Sequence, residues 1–284
     1  EGAVNEQVKA QLDQLADLMC RNSPASRTVR ANYNMPVYSS GSTSIENRAI
    51  AKSWCAPENR KRPIDTVLLS IGGNDVGFSA LMLYAMTESA GDLAPIAGAI
   101  GQQIRFSPQV SRVYLERLPE RMRALRDALR DGFGVQPQRV MQTAYEPIQF
   151  DESGGMCGGA PTLGLDVHPK LKMDRGRLSE TVGFTGDFFT RMTCIANGKV
   201  RADCPVMATG LGTGFKLITD HVSEFSRRGL CARDPKNPQA DGALMALPRR
   251  YGGQEDFAPY SPAAFLPYQH RWRLFRTPND AFMT

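Results

Sequence analysis

The chain has 284 residues, 34 Lys and Arg against 29 Asp and Glu, a net charge of +5, and 42% hydrophobic residues. That apolar content excludes wholesale disorder, which needs low hydrophobicity and a large net charge, and 26 glycines are too few for a collagen-like repeat. No window approaches the run of about 18 apolar residues that marks a membrane-spanning helix, and the basic residues are scattered, so neither a transmembrane segment nor a nucleic-acid partner is expected.

The spacing of Val8, Leu12, Leu15 and Leu18 predicts a helix over 5–19, capped by Asn5. A turn follows over Cys20-Arg21-Asn22-Ser23-Pro24. Residues 34–38 read as a short strand that runs into a small-residue turn over 39–44, with a helix over about 45–54. Residues 64–71 are nearly continuous in apolar character, the pattern of a parallel strand buried on both faces. This strand runs into Gly72-Gly73-Asn74-Asp75.

Residues 76–110 are apolar and helical in character. A further amphipathic helix covers 110–131, with Pro119 at a boundary or a kink. A strand is expected over 138–145. Strand and helix alternate in this half, the order of an α/β fold with a mostly parallel sheet. Beyond 150 the chain is richer in Gly and Pro. It has a Gly-rich loop over 151–165, a helix over 176–193, a loop over 194–204, and short strands over 205–208 and 215–218. Long loops over 232–270 follow. The whole is read as one domain over 1–284, with its core in 1–150 and a loop-rich remainder in 151–284.

Six cysteines, Cys20, Cys55, Cys157, Cys194, Cys204 and Cys231, contain no CxxC pair. With only three histidines at unsuitable spacing, a zinc site is not expected. An even count without metal spacing points to disulfides and an oxidising compartment, hence a secreted or periplasmic protein.

Two segments have the make-up of a ligand site. Gly72 and Gly73 let the backbone turn sharply at the carboxyl end of a parallel strand, where ligands of open α/β sheets bind. Asn74 offers a side-chain amide to an oxyanion there, and Asp75 can brace the turn by accepting backbone N–H bonds. Gly41, in Ser40-Gly41-Ser42-Thr43-Ser44, follows the earlier strand and would present its N–H at the start of a helix.

Together these segments resemble the SGNH (GDSL-type) hydrolase family. VYSSGSTSIEN is similar to the family block whose glycine N–H joins the oxyanion hole, which maps to Gly41. IDTVLLSIGGNDVGFSALM is similar to the block whose asparagine supplies a further donor, which maps to Asn74. Cys20-Arg21-Asn22-Ser23 and QRVMQTAYEP match supporting segments, so the resemblance covers about residues 1–150. It is weaker over 225–284. It implies a three-layer α/β sandwich of SGNH or flavodoxin-like kind, decorated with long disulfide-tied loops. It also implies serine-dependent hydrolysis of a small ester, a lipid or an acylated glycan, without a metal or organic cofactor.

The family's serine lies in a GDSxxSGEG block, and Glu1-Gly2 matches the tail of that block. The serine is therefore expected before Glu1, and the family's D-x-x-H pair after Thr284. No D-x-x-H occurs within the chain, where His168, His221 and His270 are expected to be structural. The alternatives are a catalytically inactive binding or assembly subunit of the same fold and a polysaccharide-binding or deacetylating protein. The second would use the aromatics from Tyr251 to Phe275. Of the many connectivities open to six cysteines, the pairing taken is Cys20–Cys55, Cys194–Cys204 and Cys157–Cys231.

Overall fold

The computed structural model describes residues 10–39, 42–78, 81, 84–85, 108–157, 175–198, 212–229, 232 and 235–236. Helix α1 spans Gln11–Met19 and begins after Ala10, which is in extended backbone and makes no side-chain cap. The helix therefore starts later than expected, and Asn5, expected as its cap, lies outside the described residues. Its inner face is Leu12, Leu15, Ala16 and Met19, spaced for one side of a 3.6-residue helix. Leu18, expected on that face, is instead 70% exposed.

Strands β1 (Ala25–Ser39) and β2 (Ser42–Trp54) form an antiparallel hairpin. The helix expected over 45–54 is thus a strand. The apolar spacing there fits a helix as well as a strand, and pairing with β1 decides it. The register runs from Ala25↔Trp54 to Ser39↔Ser42, with a shift between Arg30 and Asn34. The base of the hairpin is fixed from two sides. Asp13 of α1 accepts bonds from the Ser53 N–H and hydroxyl, and the Arg27 guanidinium lies 3.9 Å above the Trp54 ring.

A second sheet holds β3 (Val67–Leu69), β4 (Val140–Thr143) and β5 (Lys216–Ile218), all parallel and in that spatial order. Helix α2 (Pro108–Asp127) connects β3 to β4, and α3 (Arg175–Asn197) connects β4 to β5. A short helix, α4 (Val222–Phe225), follows β5. This is an α/β arrangement around a small parallel sheet. Pro108 opens α2, where its missing N–H costs nothing, and Pro119 sits inside the helix. A π-turn over Ala128–Gly132 ends it.

Both connecting helices lie on the same side of the sheet. Strands laid in sequential order with right-handed crossovers require this. Near the carboxyl ends of the strands, Leu115, Leu118 and Met122 of α2 meet Phe184, Phe188, Met192 and Ile195 of α3, with Ile71, Tyr145 and Leu217 against them. Near the amino ends, Leu125, Leu129, Phe133 and Val135 meet α1, Val67, Val140 and Phe215. Gln142 is buried among these groups, and its side-chain N–H₂ donates to the Ile71 carbonyl at 3.3 Å. The expected burial of 64–71 on both faces does not hold: Leu68 is 79% exposed. Among the described residues β3, like β4 and β5, is packed by the helices on one face only.

Cys20 and Cys55 form a disulfide with Cα atoms 5.7 Å apart. It joins the end of α1 to the end of β2, not to a helix. Cys157 and Cys194 are also disulfide-bonded, whereas Cys204 and Cys231 lie outside the described residues. No helix among the described residues is long and apolar enough to cross a membrane.

Candidate functional site at the carboxyl edge of the sheet

The parallel strands bring three turns to one edge. After β3 comes Gly72-Gly73-Asn74-Asp75, after β4 comes Tyr145-Glu146, and after β5 comes Asp220-His221. The first turn is built by its glycines. Gly72 has φ of 114°, a left-handed conformation that a side chain would strain. Gly73 lies against Tyr145, and a methyl group in its place would stand 2.7 Å from the ring. Both glycines are buried.

Beyond them the backbone tightens into a 3₁₀ turn over Asn74–Val76. The Val76 N–H reaches the carbonyls of Gly72 and Gly73, both at 3.2 Å, and the Phe78 N–H reaches Gly73 at 2.9 Å. Val76 is fully buried and pins the turn to the core. Asn74 therefore follows directly on a rigid, buried glycine pair, although its side chain lies outside the described residues.

Among the described residues no backbone N–H donates to the Asp75 carboxylate, where such bonds were expected. That carboxylate instead receives Arg121 of α2 at 3.2 Å, and the same guanidinium donates to the Asp75 carbonyl at 3.1 Å. The Arg121 side chain is only 13% exposed, and its guanidinium stands 5.8 Å from the Tyr114 ring. The helix thus holds the turn by one side chain at two points. Nothing in the sequence singles out Arg121, one of many arginines along an amphipathic helix. Tyr145 was more visible, as the last residue of the expected strand over 138–145.

At the far side of the edge, the His221 ring N–H donates through Nε2 to the Ala144 carbonyl at 3.1 Å, with Glu146 Oε1 3.5 Å away. Phe225 meets the imidazole edge-on. The acceptor is a carbonyl, so in the neutral ring the proton sits on Nε2. This histidine joins the end of β5 to the end of β4. His168, His270 and Gly41 lie outside the described residues. The segment after Gly41, expected as a helix, is strand β2.

A groove of about 510 Å³ lies elsewhere, at the amino end of β3, lined by Leu15, Met19, Arg62, Ile64, Asp65 and Val67 among others. It is separate from the Gly72–Asp75 turn. Among the described residues no group of three or more His, Cys, Asp or Glu is placed to hold a metal ion. No family model, curated protein or solved structure matches the chain.

Proposed function

We propose that the chain is the oxyanion-binding part of a serine ester hydrolase of SGNH type, secreted or periplasmic, acting on a small ester, a lipid or an acylated glycan. The observation that carries this reading is the Gly72-Gly73-Asn74-Asp75 turn. It stands at the carboxyl end of β3, on two buried glycines, and Arg121 holds it from the neighbouring helix. In this reading the parallel sheet is the centre of a three-layer sandwich.

A serine supplied from outside the 284 residues attacks the acyl carbonyl. A histidine, likewise from outside, takes the serine proton and passes it to the departing alcohol. Water then cleaves the acyl-enzyme by the same route, releasing the acid and restoring the serine. The negative oxygen formed in each half is stabilised by the Asn74 side-chain amide, preorganised by its turn. Gly41 is the second donor in the family pattern. Because the hairpin removes the helix expected after it, the reading leans on Asn74.

The test uses the protein as its own cell makes it. A fluorophosphonate should label one serine that is not within residues 1–284. Asn74→Ala should lower kcat on a p-nitrophenyl ester by about 10²–10³. Absence of labelling and of ester turnover would favour the inactive binding or assembly subunit. Normal turnover by Asn74→Ala would remove the oxyanion role.

A further inference from the structure

Tyr145 presents its phenol tip to the Gly72-Gly73-Asn74-Asp75 turn. The hydroxyl oxygen lies 2.8 Å from where a Cβ at Gly73 would stand, so the missing side chain is what admits it. The ring is held between Phe78 and Phe188, with centroids 6.0 Å and 5.5 Å away. Phe78 also binds the turn, because its N–H donates to the Gly73 carbonyl at 2.9 Å. One residue therefore fixes both the ring and the backbone that the ring faces. Tyr145 is half-buried, yet among the described residues its hydroxyl makes no hydrogen bond.

Packing accounts for the ring and not for the hydroxyl. A tyrosine set among packed side chains usually gives its O–H a partner, since the group is costly to leave idle. Phenylalanine would fill the same space between Phe78, Phe188 and the glycine pair without that cost. The position of the oxygen supplies a reason for it. It stands at the carboxyl edge of the parallel strands, where ligands of open α/β sheets bind, beside the residue that immediately precedes Asn74. A hydroxyl there is a donor held in place before any ligand arrives.

We propose that Tyr145 is a catalytic residue: its hydroxyl donates a hydrogen bond to the negative oxygen formed when the acyl carbonyl is attacked. This role rests on the ester-hydrolase reading above. It adds to Asn74, after β3, a second side-chain donor from the end of β4. Tyrosine hydroxyls are among the groups that form oxyanion holes. The phenol keeps its proton throughout, so no further acid or base is called for.

Tyr145→Phe, in the protein as its own cell makes it, keeps the ring and removes the donor. On a p-nitrophenyl ester, kcat is expected to fall by about 10²–10³, the usual loss for one oxyanion donor. KM and the thermal unfolding midpoint are expected to stay at the parent's values. Turnover equal to the parent's would overturn the role of Tyr145 and leave the ester reading standing. A raised KM at unchanged kcat, the mark of uniform binding, would overturn it too. So would a loss of turnover that comes with a lowered midpoint, the mark of a structural hydroxyl. A parent that neither turns over the ester nor takes the fluorophosphonate label removes the ester reading, and the role of Tyr145 falls with it.

Discussion

Gly73 and Tyr145 fill complementary space: the ring stands where a side chain at Gly73 would be, with its nearest carbons 2.7 Å from the position of a Cβ. Tyr145 is itself confined, with Phe78 at 6.0 Å and Phe188 at 5.5 Å between ring centroids. The turn after β3 and the end of β4 therefore fix each other.

Gly73→Ala is expected to destabilise the fold by about 1–3 kcal/mol through overpacking. Tyr145→Leu in the same chain should recover part of that loss, since the two changes act on one contact. Thermal unfolding of the single and double variants measures the coupling. Strict additivity would mean that the ring is free to move aside.

Arg121→Ala should cost about 1–3 kcal/mol, because it leaves the carbonyl and carboxylate of Asp75 without their shared donor. Arg121→Lys should recover part of it, since both bonds come from one nitrogen, Nη1, and an ammonium can donate to two acceptors. Asp75→Asn, which keeps the backbone contact, should cost less than Arg121→Ala. Urea midpoints at constant slope would rank the three, and an Arg121→Ala variant as stable as the parent would exclude the tether.

Two charged groups make stability rise with pH, one in the acid range and one in the alkaline range. A hydrogen bond from Arg130 holds the Asp131 carboxyl below its ordinary value of 3.8. Its stabilising contribution is complete above the unfolded value and is lost as pH falls through the lower folded one. Asp131→Asn should flatten that acid limb, by no more than about 1 kcal/mol because the pair is solvent-exposed. At Lys52, burial lowers the pKa from 10.5 and the attraction of Asp127 only partly offsets it. The charged amine thus costs stability at neutral pH, and the cost fades as pH rises toward 10.5. Lys52→Met should raise the unfolding midpoint at pH 7 and remove the alkaline rise. A lower midpoint would show that the Asp127 attraction prevails.

Replacing Cys20 and Cys55 together by Ala should cost about 2–4 kcal/mol, the usual range for a bridge closing a loop of this size, here with a sequence separation of 35. Thiol titration of the denatured, unreduced parent should find neither of these cysteines reactive. If both react, the bridge is absent from the protein in solution.

The parts legible in the sequence were those whose pattern and local chemistry agree. The strand over 138–145 contains β4, the helices over 110–131 and 176–193 overlap α2 and α3, and 215–218 contains β5. The glycine pair placed its turn correctly at the end of β3. The errors arose where tertiary pairing decides. Ile45, Ala49 and Ile50 satisfy helical spacing, yet the register with β1 makes the segment a strand. The strand over 64–71 shrank to Val67–Leu69, and with Leu68 exposed the apolar run did not tell one covered face from two. Helix α3 runs through Cys194 to Asn197 and stops at Gly198, so the loop expected from Cys194 begins later. Arg121 escaped notice because its role comes from a long-range contact with Asp75.

The Cys20–Cys55 bridge has a further consequence. It spans the whole β1–β2 hairpin, whose two ends it holds 5.7 Å apart between Cα atoms. A protease that cuts once between Arg21 and Trp54 would leave the two fragments covalently joined, with α1 still attached to the parallel sheet. On a gel such a nick would be silent without reductant and would appear as two bands with it. Intact mobility is therefore no measure of whether the hairpin has been cut.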